Sequence, residues 1–253
     1  IVPNHLTEQM GSELLSLYPN ANILVSTRHD FEKNRRKLFC SRIATGNYDI
    51  VIMGHSQFSR IPLSSERQQK FLQDEIERYT QEIASAKKEK SGQDLTIKQM
   101  EATKKRLQSH LEELMDSPKD DVVTFEQLGV DSLMVDEAHE FKNLAVTTKM
   151  QNVAGISTSE SQKATDLLMK TQYLDEITGG RGLVFCTGTP ISNSPVELYT
   201  MMRYLQASTL RAHALLSFDA WAANFGQTTP SIELAPEGTG YRSKTRFSRF
   251  FNL

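Results

Sequence analysis

Leu133-Met134-Val135-Asp136-Glu137-Ala138-His139 is the stretch that decides the fold. Three apolar residues run without alternation into two adjacent carboxylates. A short, continuous apolar run of this kind reads as a strand covered on both faces of a parallel sheet. Its carboxyl end is where open α/β sheets hold their ligands. Two acids at that point suit nucleotide hydrolysis: the first carboxylate faces a magnesium ion bridging the phosphates, and the second orients and deprotonates the attacking water. Two exposed acids on a loop would look the same in isolation, so the surroundings decide.

Outward from this strand, three more apolar runs rich in Ile, Leu and Val cover residues 22–26, 49–53 and 182–186. Helical spacing lies between them. Leu6, Met10, Leu14 and Leu17 share one face of a predicted helix over 6–17, and similar patterns cover 31–43 and 164–177. Strands alternating with helices predict an α/β layered fold. The run at 182–186 continues into Thr187-Gly188-Thr189-Pro190, a small turn rich in hydroxyls. Gly188 permits close backbone approach, and the two threonines offer hydrogen bonds that can sense an occupied site. The same residues also make an ordinary strand-to-helix turn, with Thr189 as cap and Pro190 in the first helical position. Both readings can hold together.

Residues 65–116 interrupt the rhythm. Leu72, Ile76, Tyr79, Ile83 and Ala86 repeat at steps of four and three, and a weaker seam follows at Ile97, Met100, Leu107, Leu111 and Leu114. Ser91-Gly92 marks a turn between them, and Ser65 with Gln68 has capping-box spacing. The pattern predicts an antiparallel helical hairpin, coiled-coil-like, inserted into the α/β body. It serves either as a solvated spacer or as a docking arm for DNA or a partner through Lys87, Lys88, Lys90, Lys104, Lys105 and Arg106. From Gln206 the pattern is less regular, although Phe218, Trp221 and Phe225 fit one helical face. Arg242, Lys244, Arg246 and Arg249 alternate with Phe247, Phe250 and Phe251 near the end. Charge with stacking can bind nucleic acid, but an amphipathic segment packing against further sequence is the favoured reading. The expected boundaries are 1–63 and 119–205 for the α/β body, 64–118 for the hairpin, and 206–253 for a helical or irregular extension.

Composition narrows the classes. Charged residues make up 24% of 253 and the formal net charge is −2, so any contact with nucleic acid comes from local basic patches. No apolar run reaches the ~20 residues of a membrane span, and no signal peptide is visible in residues 1–253. Cys40 and Cys186 lie in apolar stretches without metal-ligand spacing and are expected to be reduced core residues of a cytoplasmic protein. His139-Glu140 lacks the second histidine of a metalloprotease pair, since Asn143 stands there. Ile1-Val2-Pro3 reads as the end of a buried strand, and the chain is expected to be a piece of something larger.

The residues resemble one family in detail. Asp136-Glu137-Ala138-His139 with Lys142-Asn143 resembles motif II of the Swi/Snf-type branch of superfamily 2 helicases. Thr187-Gly188-Thr189-Pro190-Ile191-Ser192-Asn193, then Glu197-Leu198-Tyr199, resembles motif III. Val2-Pro3-Asn4-His5-Leu6 resembles motif Ia, and Gly54-His55-Ser56-Gln57-Phe58 takes the place of motif Ib. The finer pattern around 233–242 is similar to helicase–adenine-methylase fusions of phages and conjugative elements. Ser192 stands where the family usually has Gln, and Glu140 where it has a basic residue.

The resemblance implies a RecA-like, P-loop NTPase-type parallel sheet and an ATP-dependent motor moving on DNA, double-stranded in this branch. Asp136 would hold Mg2+, Glu137 would be the catalytic base, and His139 would couple nucleotide state to the DNA-contacting motifs. Thr187, Gly188, Thr189 and Pro190 would relay hydrolysis to lobe movement. Pro3, Asn4, His5, Gly54, His55, Ser56 and Gln57 would lie along the phosphodiester backbone. ATP, Mg2+, a second lobe with its arginine finger and a methylase domain are the implied cofactors and partners. No Gly-Lys pair occurs in the chain, so the phosphate-binding loop such a motor needs is expected upstream of Ile1. The near miss from Gly238 to Ser243-Lys244-Thr245 follows motif III instead of preceding motif Ia. The rival reading is a degenerate lobe that binds DNA or protein through its hairpin.

Overall fold

The structure, a computed structural model, describes residues 1–32, 35–88, 94–116, 123–150, 153–154, 161–192, 194–234 and 238–250. Two compact units divide it. The first comprises Ile1–Gln68, Pro118–Glu140 and Asp166–Gly188; the second comprises Gln69–Ser117, Phe141–Thr165 and Thr189–Leu253.

In the first unit, β1 (Ile23–Val25) pairs in parallel with β2 (Ile50–Ile52), and β3 (Leu133–Val135) pairs in parallel with β5 (Leu183–Phe185). Residues 1 and 2 lie between the two pairs. Val2 N donates to Met53 O at 3.1 Å and His55 N donates to Val2 O at 2.9 Å. On the other side Ile1 N donates to Met134 O at 2.5 Å, and Asp136 N donates to Ile1 O at 2.9 Å. These are the slanted bonds of a parallel ladder. The spatial order is therefore β1, β2, residues 1–2, β3, β5, with all carboxyl ends on one rim.

Helices α1 (Thr7–Leu17), α2 (Arg36–Thr45), α3 (His55–Phe58) and α6 (Gln162–Thr178) belong to this α/β arrangement. Gly11 lets α1 approach β1, since a Cβ there would sit 2.7 Å from Val25 Cγ2. Phe39, Cys40, Ile43, Phe58, Phe125, Leu167 and Leu174 are buried with Val2, Leu24, Ile52 and Val135. The predicted helix over 31–43 starts later, because His29–Phe31 forms a 3-10 turn first. Two expectations fail. Met134 is 63% exposed and Val184 42%, so β3 and β5 leave one face open instead of being covered on both. Cys186 is exposed at the end of β5, whereas Cys40 is buried as expected.

In the second unit most of α4 (Ser65–Lys88) lies with α5 (Asp94–Asp116). Leu72, Tyr79, Ile83, Met100 and Leu107 form their buried seam, flanked by Ile76, Ile97, Leu111 and Leu114. Lys90, Ser91 and Gly92 lie outside the described residues. Beyond them come β4 (Val153–Ala154), α7 (Val196–Leu205), α8 (Ala207–Ala212) and α9 (Phe218–Phe225). The stretch expected to be irregular instead ends in a long antiparallel pair, β6 (Gly226–Leu234) with β7 (Tyr241–Phe250), in a sheet ordered β4-β7-β6. Gly238 and Gly240, at φ +73° and +94°, sit in the connection, where a left-handed backbone favours glycine. This removes the phosphate-loop near miss, since Ser243, Lys244 and Thr245 lie within a strand. Pro230 is tolerated because β6 is an edge. Phe247 packs edge-on against Phe218 at 5.7 Å and Phe250 against Trp221 at 6.4 Å. The aromatics near the chain's end thus pack into its own core; Phe251 lies outside the described residues. No described helix is long and apolar enough to cross a membrane.

Candidate functional site

The rim at the ends of β3 and β5 gathers the acidic motif and the threonine turn. Cys186 N donates to Val135 O at 2.8 Å, and Ala138 N donates to Cys186 O at 3.0 Å. The ladder therefore continues past the strands and fixes the turn 136–139 beside 186–187. His139 Nδ1 lies 3.0 Å from Glu137 Oε2 and 3.2 Å from Thr187 Oγ1. One imidazole nitrogen is thus shared between the second carboxylate and the first threonine. Glu137 holds φ at +49°, a left-handed conformation that costs a side-chain-bearing residue roughly 1–2 kcal/mol. Strain of this kind gathers at functional sites.

Asp136 is half-buried, and its carboxylate makes no side-chain hydrogen bond or salt bridge among the described residues. Magnesium prefers one or two carboxylates together with waters and substrate phosphates. Among the described residues no group of three or more His, Cys, Asp or Glu side chains is arranged to hold a metal ion by itself. Asp136 fits as the protein's ligand.

The two N-terminal motifs meet each other beside this rim. Asn4 Oδ1 accepts from Ser56 N at 3.2 Å and from Ser56 Oγ at 3.1 Å. A Cβ on Gly54 would lie 2.2 Å from Asn4 Oδ1, so this contact requires glycine. Gln57 is committed inward: its Oε1 accepts from Gly54 N at 2.7 Å and Ser26 Oγ at 2.6 Å, and its Nε2 donates to Thr27 O at 2.9 Å. His55 is 5% exposed, and its Nε2 lies 2.9 Å from Asp136 O. Its ring therefore points to the acidic motif and not to the surface. Asn4, His5 and Ser56 are exposed, Pro3 half-buried, and Gly54 buried.

Two residues escaped the sequence reading. Arg28 and Arg60 line a cavity of about 600 Å³ with Asn4, Glu32, Ser56 and Gln57, and Arg60 is oriented by donating to Phe31 O at 3.2 Å. Arg28 falls just after β1, on the same rim as the other motifs, which was the available signal. Gly188 is exposed and no protein atom comes within 4 Å of where its Cβ would be. Nothing among the described residues demands glycine there.

Thr189 and Pro190 are exposed residues of the second unit. In that unit Lys142 Nζ pairs with Glu197 Oε1 at 3.2 Å and meets Ser192 Oγ, while Glu197 Oε2 accepts from Ser192 N at 2.6 Å. Residues 142 and 192–197 thus interlock through Ser192.

Residues 6–253 match the family described as "Probable helicase domain". The chain belongs to this helicase-domain family. Over 165 residues, 64% of its length, the helicase-domain chain is 29% identical to the Defense against restriction protein B of Escherichia phage P1, and it spans 7% of that protein. No solved structure matches it.

Proposed function

We propose that this helicase-domain chain forms the nucleotide-hydrolysing side of an ATP-driven motor on double-stranded DNA, of the Swi/Snf-type superfamily 2 branch and with a RecA-like sheet. The observation that carries the reading is the shared His139 nitrogen, which joins Glu137 to Thr187 at the end of the paired β3 and β5. A hydrolytic base needs a link to the element that moves when the nucleotide changes, and this contact supplies one in a single hydrogen-bonded step.

In this reading Asp136 ligates Mg2+ on ATP, and Glu137 takes the proton from the attacking water. His139 holds Glu137 and reports its state to Thr187. Gly188 leaves open space for a ligand or a second lobe. Asn4 and Ser56 donate to phosphodiester oxygens, with Arg28 and Arg60 supplying charge; Pro3, His5 and Gly54 shape that surface. Without a Gly-Lys-Ser/Thr loop in residues 1–253, tight phosphate binding comes from flanking sequence, as does the arginine finger. The degenerate-scaffold alternative leaves the strained Glu137 backbone without a reason.

The test is ATP turnover with and without duplex DNA in a longer protein extended on both sides. Turnover is expected to rise with DNA, and Glu137→Gln is expected to lower it ~10²–10⁴-fold, as for loss of a general base, while ATP still binds. Unchanged turnover in that variant, or strong turnover by residues 1–253 alone, overturns the proposal.

A further inference from the structure

Register at the rim exposes an unusual gap. Ile1 N bonds to Met134 O, and Ile1 O accepts from Asp136 N. In a parallel ladder the next bond runs from the N–H two residues on, here residue 3, to Asp136 O. Residue 3 is proline, which has no N–H to give. The Asp136 carbonyl is thereby released from the ladder, and His55 Nε2 takes the vacant place at 2.9 Å. A carbonyl only accepts, so Nε2 carries the proton. His55 is itself fixed from behind, because its backbone N donates to Val2 O at 2.9 Å.

The residues next to this pair face outward. Asn4 follows Pro3 and Ser56 follows His55, and Asn4 Oδ1 ties them together at 3.1–3.2 Å. Gly54, closed over by Asn4 and capped by Gln57, allows no slack between them. Past Asp136, the chain enters the left-handed turn at Glu137, a strained link sensitive to small backbone shifts.

We propose that His55 is a positioning residue that transmits engagement of a phosphodiester at Asn4 and Ser56 to the backbone of Asp136, and that Pro3 is there to free the carbonyl for it. This deepens the motor reading and rests on it. His55 does not touch the DNA; a phosphate displacing the Asn4–Ser56 bonds shifts the start of α3, and the imidazole moves Asp136 and with it Glu137. The chain built from His55 to Asp136 is one hydrogen bond long. It lies on the opposite side of the acidic motif from His139 and Thr187, so the two histidines address different neighbours.

Three variants test this: His55→Phe, which keeps a ring and removes the donor; His55→Gln, which restores an N–H of similar reach; and Pro3→Ala, which leaves His55 intact but offers Asp136 O a competing ladder donor. In the longer protein, His55→Phe is expected to lower DNA-stimulated kcat at least tenfold, with the KM for ATP and the Kd for duplex DNA held within twofold. His55→Gln should recover most of the loss, and Pro3→Ala should reproduce part of it. A weakened DNA Kd with kcat intact at saturating DNA would make His55 a DNA contact and overturn the proposal, as would unchanged stimulation.

A second readout needs no catalysis. Amide hydrogen exchange at residues 133–139 is measured in the 253-residue chain on adding duplex DNA. The rate is expected to change at least twofold in the wild type and to stop responding in His55→Phe. No response in the wild type overturns the relay whatever the ATPase result. A response that His55→Phe abolishes upholds the relay even where turnover fails to rise with DNA, a failure that falls on the motor reading alone.

Discussion

Lys170 is fully buried in the first unit, and its removal has a magnitude that can be worked out. Its Nζ donates to Asp166 Oδ2 at 2.7 Å and to Phe58 O at 2.8 Å, and stands 4.3 Å above the Phe58 ring. Burial pushes the Lys170 ammonium below its usual range and the Asp166 carboxyl above its own, each opposed by the other's charge. Lys170→Met keeps the stem and deletes the charge, leaving the Asp166 carboxylate without its donor and the Phe58 carbonyl with Ile61 N alone. Breaking one partner of a buried pair costs about 3–5 kcal/mol. For a chain of this size each kcal/mol lowers Tm by roughly 2–4 °C, so calorimetry should read a fall of roughly 6–20 °C. Adding Asp166→Leu removes the stranded carboxylate; the Phe58 carbonyl keeps Ile61 N at 3.1 Å but still lacks the ammonium's hydrogen bond, worth about 1.5–3 kcal/mol for a charged donor. The double variant should therefore recover about half of the loss. A single variant within ~1 kcal/mol of wild type, or a double variant no better than the single, would refute the idea that this lysine fastens the end of α3.

Two further outcomes follow from charges elsewhere. In the second unit, burial, with Glu75 and Asp219 adding and Arg78 and Arg203 opposing, raises the Glu82 carboxyl from 4.5 to about 7. Its folded pKa exceeds the unfolded one, so its stabilisation is full below about 4.5 and is lost as pH rises through about 7; urea melts of Glu82→Gln at about pH 5 and about pH 8 should show a flatter dependence than wild type. Arg28→Gln and Arg60→Gln should each reduce the slope of log affinity against log salt for duplex DNA by about 0.9, the value of one phosphate contact, and unchanged slopes would remove these two from the DNA surface.

The elements that position the site were legible because their signals are local. The runs at 23–25, 50–52, 133–135 and 183–185 are apolar and bounded by turns, and the hairpin seam repeats at helical spacing. Exposure of Met134 and Val184 was not legible, since a strand with one open face and a strand with none can carry the same three apolar residues. The β6–β7 pair was missed because Pro230 and the interspersed charges break the alternation that marks a strand. At the site, the neighbouring of 136–139 and 187 depends on strand order, which the motif order suggested. The inward turn of His55 depends on a register gap at Pro3, and Arg28 and Arg60 on a cavity between separate loops. Such facts exist only once the sheet is assembled.

Residues 1–2 stand in the middle of that sheet, bonded to partners 133 positions away. Val2 can meet β2 once His55 is made, but Ile1 meets β3 only after Asp136, on the far side of α4 and α5, so this rim closes late. Loop-closure entropy grows only slowly with length, and the 52 positions of α4 through α5 can zip locally beforehand, turning a floppy span into a stiff shortcut. The insertion thus shortens the path that must be closed before Ile1 takes its place beside β3.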